Sequence, residues 1–186
     1  MKKNTLSFDT GFWASFVAGN PFKELDVFFD FAHLDYYKQN LTQAVIYSSK
    51  TKVYEQENPG NFFVFYTAAC SFLKVCYGLR HKSKKWKVTP SLCSERAFHL
   101  SSLTKEEYEN PFIVFRKAFN KITLKEFELF LSQITELSLS PCPGDAGSDL
   151  MTPYIYLIKM LDAVALIRER GVEKIRKTDQ IDAVTG

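Results

Sequence analysis

The sequence predicts an all-α protein: a helical bundle of about seven or eight helices, built from two pseudo-equivalent three-helix units. Three observations predict it. The 186 residues include 17 Phe and 9 Tyr but only 8 Gly and 7 Pro, a composition that argues against disorder and against an all-β chain full of tight turns. Apolar residues recur at helical spacing along most of the chain. Finally, "NPFKELDVFFDFAHLDYYKQNL" from Asn20 and "NPFIVFRKAFNKITLKEFELFL" from Asn110 open alike, and an ungapped offset of 90 carries one onto the other. A chain of this length is one domain, or two small halves sharing one core.

The N-terminal stretch, Met1 to Asn20, has two Lys and a short apolar run that mimics a signal peptide, but Asp9 and Thr10 interrupt it. It reads instead as a helix with Asp9 or Thr10 as N-cap and Trp13, Phe16 and Val17 on the buried face. The first unit, 20–82, then starts at Asn20-Pro21, where Asn can cap a helix and Pro at the first helical position has no N–H to leave unsatisfied. Phe22, Leu25 and Phe29 fall on one face of a first helix, and Leu34, Tyr37 and Leu41 on one face of a second. A third, running from Phe62 to Leu79, follows the "ENPGN" loop.

A connecting segment, 83–109, leads to the second unit, 110–172, where the pattern returns. Phe112, Phe115 and Phe119 match Phe22, Leu25 and Phe29; Leu124, Phe127 and Leu131 match Leu34, Tyr37 and Leu41; Gln133 matches Gln43. Thr123 to Glu126 is a capping box opening the middle helix. The loop "SPCPGDAGSD" leads into the third helix, with Ser148, Asp149 or Thr152 as cap and Pro153 at the first position. There Tyr156, Met160, Leu166 and Arg170 match Tyr66, Cys70, Cys76 and Arg80. A polar tail, 173–186, ends the chain. Neither unit is long enough to bury its faces alone, so the two are expected to pack on each other.

Phe62 to Leu79 is apolar enough to raise the question of a membrane span. It carries Thr67, Ser71 and Lys74, is short of the usual ~20 residues, and its counterpart holds Lys159, Asp162 and Arg168, which are costly in lipid. A buried central helix is the expectation, with no membrane span. The cysteines, Cys70, Cys76, Cys93 and Cys142, have neither C-x-x-C spacing nor a zinc-finger partner pattern. Reduced thiols in a cytoplasmic protein, without metal or cofactor, follow from that.

Several stretches invite a functional reading. Asp26, Asp30 and Asp35 lie near His33, but the second unit has Arg116, Asn120 and Lys125 at the matching places. A solvated helix face accounts for them better than a metal or an acid–base cluster. "PCPGDAGSD" lacks the Lys-Ser/Thr ending of a phosphate-binding loop and has too few carboxylates for calcium. Arg96 and His99 are separated by two residues, and Arg80 and His81 by none; both are too close for the Arg–His spacing of helical ribonucleases of the HEPN type. The densest basic stretch is "RHKSKKWK". In it Arg80, His81, Lys82, Lys84 and Lys85 can meet phosphates while Trp86 stacks on a base. The plainer account is a basic helix C-terminus opposing the helix dipole. A net charge of +3 does not by itself imply nucleic acid.

The leading expectation is a non-enzymatic interaction or accessory protein that binds a protein partner, or itself, through its helical faces. The alternative is binding of nucleic acid or another anionic partner through 80–87. A weaker one is an enzyme with a pocket at the seam between the units.

Overall fold

The computed structural model describes residues 21–55, 59–90, 101–142 and 149–175. The expected N-terminal helix with Trp13, and also Cys93, Arg96 and His99, lie outside these residues. Seven α-helices form the described fold: α1 (Pro21–Phe31), α2 (Leu34–Ser48), α3 (Pro59–Leu79), α4 (Lys105–Glu109), α5 (Phe112–Lys121), α6 (Leu124–Ser138) and α7 (Met151–Arg170). A one-turn 3-10 helix (Lys82–Lys84) follows α3. Two short strands, β1 (Trp86–Val88) and β2 (Val172–Lys174), complete the chain order. The fold is therefore all-α with a small antiparallel ribbon.

The middle helices α2 and α6 form the centre of the core and pack on each other. Each has 15 residues. On α2 the buried residues are Tyr37, Asn40, Leu41, Ala44 and Ser48; on α6 they are Phe127, Phe130, Leu131, Ile134 and Ser138. Each member of the second set lies 90 positions after its counterpart in the first. At the ends, Ser48 and Ser138 each donate a hydroxyl to the carbonyl three residues back, at 2.8 and 2.9 Å. The turns entering the two helices also share a backbone: His33 has φ −69°, ψ 158°, and Thr123 has φ −70°, ψ 158°. Only Thr123 adds a side-chain cap, in the expected capping box with Glu126.

The third helices cross over. α3 lies on α1 and on α6, whereas α7 lies on α5 and on α2. The segments are thus interlocked, and each middle helix is covered by the third helix of the opposite half. Ring stacking ties the layers together: Phe28 stacks on Tyr37 at 3.9 Å and on Phe72 at 4.8 Å. The Tyr37 hydroxyl donates to the Phe28 carbonyl at 2.6 Å, which satisfies the one polar atom this ring brings into the core. Thr42 and Tyr154 share a hydrogen bond at 3.1 Å across the α2–α7 seam.

Two local expectations are corrected. Asn110 does not cap α5 with its side chain: it is the C-terminal cap of α4, its carbonyl accepts from the Ile113 amide, and Pro111 already has helical backbone angles. Pro153 is the third residue of α7 rather than the first, because the Asp149 carboxylate accepts from the amides of Met151 and Thr152 at 3.1 and 3.0 Å and starts the helix two residues earlier. Within the connecting segment, Thr104 and Glu107 form a second capping box that opens α4. The stretch from Gly60 to Lys84 is long and apolar enough to cross a membrane, and 56% of its most apolar window is buried within the fold; Phe62, Phe65, Leu73 and Leu79 lie in the core.

Candidate functional site

The basic segment leaves the end of α3 and runs into the ribbon. Arg80 folds back on its own helix, donating to the Tyr77 carbonyl with its guanidinium 3.4 Å from the Tyr77 ring centroid. His81, Lys84, Lys85 and Lys87 are exposed, and Lys82 is half-buried. Trp86 is half-buried too: its ring meets Phe22 edge-on at 5.1 Å, and Phe22 in turn meets Phe112 at 6.3 Å. The indole is thus part of the packing that holds the ribbon to α1 and α5.

Antiparallel pairing sets Trp86 opposite Lys174, Lys87 opposite Glu173 and Val88 opposite Val172. Opposed residues share a face, so one side carries Trp86, Val88 and Val172, all packed on the core, with Lys174 opposite Trp86 at the exposed margin of that side. The outer side carries Lys87 and Glu173, whose charged ends are 4.0 Å apart and exposed. Ladder bonds continue beyond the strands, from the Ile175 amide to the Lys85 carbonyl at 2.9 Å and from the Thr89 amide to the Gly171 carbonyl at 3.2 Å. Pairing therefore adds Lys174, 87 residues beyond Lys87 in sequence, to the basic segment. Nothing in the local sequence signals this addition, because a three-residue strand becomes one only through its partner. Exposed Arg116 stands on α5, which packs beside the 3-10 helix.

A second surface feature is a groove of about 260 Å³ between the α5–α6 turn, the outer side of α6 and the start of α7. Ile122, Leu129, Phe130 and Leu150 give it apolar walls, and Lys121, Glu126 and Asp149 a charged rim. Leu129 is 66% exposed, and beside the groove Met151 and Ile155, one turn apart on α7, are 56% and 47% exposed. Hydrogen bonds from Thr152, aided by the Lys121 charge, hold Asp149 below its ordinary carboxylate range.

Two buried carboxylates anchor the connecting segment to α7. Asp162 accepts from the Ser102 amide at 2.9 Å and hydroxyl at 2.7 Å, and pairs with Lys38 at 2.5 Å. Glu107 accepts from the Thr104 amide at 3.0 Å and from Lys159 at 2.7 Å, with Lys117 at 3.6 Å. Burial alone would push Glu107 up, but the Lys159 and Thr104 hydrogen bonds and the two lysine charges together hold it below its ordinary range. Both groups are fully engaged in structural bonding.

The acidic face of α1 is not simply solvated, since Arg168 of α7 bridges Asp30 at 2.6 Å and Asp26 at 3.6 Å. Among the described residues no group of three or more His, Cys, Asp and Glu side chains is placed to hold a metal ion. Comparison of the chain with protein-family models, with curated proteins and with solved structures gives no match.

Proposed function

We propose that the protein is a non-enzymatic helical interaction protein, made of two duplicated units that interlock into one framework and recognise a protein partner or a second copy of the chain. The observation that carries this reading is the apolar surface of the second unit. Exposed Leu129 lines a groove of about 260 Å³, and Met151 and Ile155 are exposed on α7, whose first turn forms one wall of it; large exposed apolar residues near a groove are the usual mark of a binding surface. Duplication is supported by the coincident buried positions of α2 and α6, by the matching turns at His33 and Thr123, and by the reciprocal crossing of α3 and α7.

The two units also differ where a binding role needs difference. At the places of Lys121 and Glu126 in the second unit's groove, the first unit has Phe31 and Tyr36. A framework repeated twice thus presents two unlike surfaces. The test is a photo-crosslinking side chain placed at Leu129 or Met151, with Glu169, exposed at the far end of α7, as control. Discrete adducts above the monomer mass are expected from the groove positions only. Absence of adducts there, or equal adducts at Glu169, refutes the reading.

A further inference from the structure

The ribbon concentrates positive charge on two short elements, with a single carboxylate inside them. Lys82, Lys84, Lys85, Lys87 and Lys174 are set against Glu173 alone within residues 80–90 and 171–175. Of these lysines only Lys87 forms an ion pair among the described residues, and that pair is an exposed one at 4.0 Å, worth little in water. The remaining four contribute charge that the fold itself does not consume.

We infer that this ribbon is a docking surface for the sugar–phosphate backbone of a nucleic-acid duplex. The inference rests on the reading of the protein as a binding module, and names a partner for a face other than the apolar groove. Charge complementarity is the first argument, because clustered, flexible lysine ammonium groups meet phosphates as point charges without demanding a base sequence.

The aromatic chemistry then selects among polyanions. Recognition of single strands draws on open aromatic faces for the bases. The one aromatic residue in the ribbon, Trp86, is instead wedged edge-on against Phe22 and packed on the core. Membrane surfaces are bound by pairing basic charge with apolar side chains that enter the acyl boundary. Trp86, Val88 and Val172 pack inward and Ile175 is half-buried, so the ribbon offers no exposed cluster of apolar side chains to insert. A duplex backbone needs neither an aromatic platform nor an apolar wedge.

The salt dependence follows from the number of lysines. With three to five phosphates neutralised, the logarithm of the binding constant should fall with the logarithm of salt at a slope of about −3 to −4.5. The experiment is fluorescence anisotropy of a labelled duplex of arbitrary sequence with the full chain, from about 50 to about 200 mM salt. The combined variant Lys84→Glu, Lys85→Glu and Lys174→Glu should lower affinity at least tenfold and flatten the slope by about 3, with its thermal unfolding unchanged because all three side chains are exposed. Trp86→Phe, which keeps the ring packing, should bind as the parent does.

Three results overturn the inference. The parent chain fails to bind the duplex at the lowest salt; the triple variant, still folded, binds it as tightly as the parent; or phosphatidylserine vesicles, poly-glutamate or a single strand is bound more tightly than the duplex. Each leaves crosslinking at Leu129 untouched, so failure here is distinguishable from failure of the interaction reading.

Discussion

Replacing Lys159 by Met removes the closest partner of a buried carboxylate while keeping the length and apolar stem of the side chain. Glu107 is 4% exposed at its side chain and Lys159 19%, with their charged ends 2.7 Å apart. Taking one partner from a buried pair costs about 3–5 kcal/mol, because the other charge is left desolvated. Two features reduce that figure here. Lys159 keeps partial contact with water, and Lys117 remains 3.6 Å from Glu107. A loss of about 2–3 kcal/mol near neutral pH is the expectation, or roughly 4–12 °C in Tm for a chain of this size.

The pH dependence is the sharper readout. Glu107 is held below its ordinary carboxylate value of 4.5 in the fold, so its contribution to stability is complete above that value and is lost as pH falls through the folded one. In Lys159→Met the burial of Glu107 is no longer offset by its nearest cation, and the carboxyl is driven upward. The difference between parent and variant should therefore be largest near neutrality and shrink in acid. Urea titrations at several pH values, followed by far-ultraviolet circular dichroism, measure it. The double variant Glu107→Gln with Lys159→Met should lose about 1–2 kcal/mol less than the sum of the two single variants. A single-variant loss below about 1 kcal/mol, or a difference that grows as pH falls, would refute the assignment of this pair as a buried, structure-holding contact.

Gly171→Ala should cost about 1–3 kcal/mol and loosen the ribbon, since Gly171 has φ 75° and ψ 172° at the end of α7. A Cβ there meets nothing within 4 Å, so the cost is backbone strain alone, and an unchanged melting temperature would contradict it. Thr123→Ala removes the side-chain acceptor of the α6 capping box and should lower stability by about 1 kcal/mol, measured by the same urea titration. Thiol-reagent titration should find Cys142 reactive in the folded protein and Cys70 and Cys76 protected until denaturant is added. The first is exposed and the other two are buried, with burial pushing the Cys76 thiol well up. Rapid labelling of Cys76 in the native state would show that α3 is not the core helix described.

The helices were legible because their signals are local. Phe22, Leu25 and Phe29, or Leu124, Phe127 and Leu131, declare a helix face through spacing alone, and the Thr123–Glu126 box declares a start. What sequence reasoning missed depends on partners distant along the chain. Trp86 sits in a run of basic residues and reads as surface, yet it becomes a packed strand residue through Phe22 and Lys174. Asp26 and Asp30 are exposed, as a solvated face requires, but their partner Arg168, 138 residues beyond Asp30, has no local signal. Thr104 and Glu107 carry the capping-box spacing within the connecting segment, whereas the pairing of Glu107 with Lys159 has no local trace. The basic segment itself was legible, but its enlargement by Lys174 and the groove at Leu129 were not.

The recurrence at 90 residues is stronger in the middle helices than in the third helices. α2 and α6 face each other across the centre, so any change at one buried position is felt by its counterpart, and their buried sets coincide throughout. The contacts of α3 on α1 and α6 match those of α7 on α5 and α2, but α7 also has α4 of the connecting segment packed against it. Asp162 shows the consequence. Its counterpart is Phe72, which stacks on Phe28 in the core, whereas Asp162 is also buried but binds Ser102 and Lys38. Among the described residues α7 is the third helix that holds this segment, through Ser102 to Asp162 and Glu107 to Lys159. The same unevenness gives the groove beside α7 the charged Lys121 and Glu126 where the first unit has Phe31 and Tyr36.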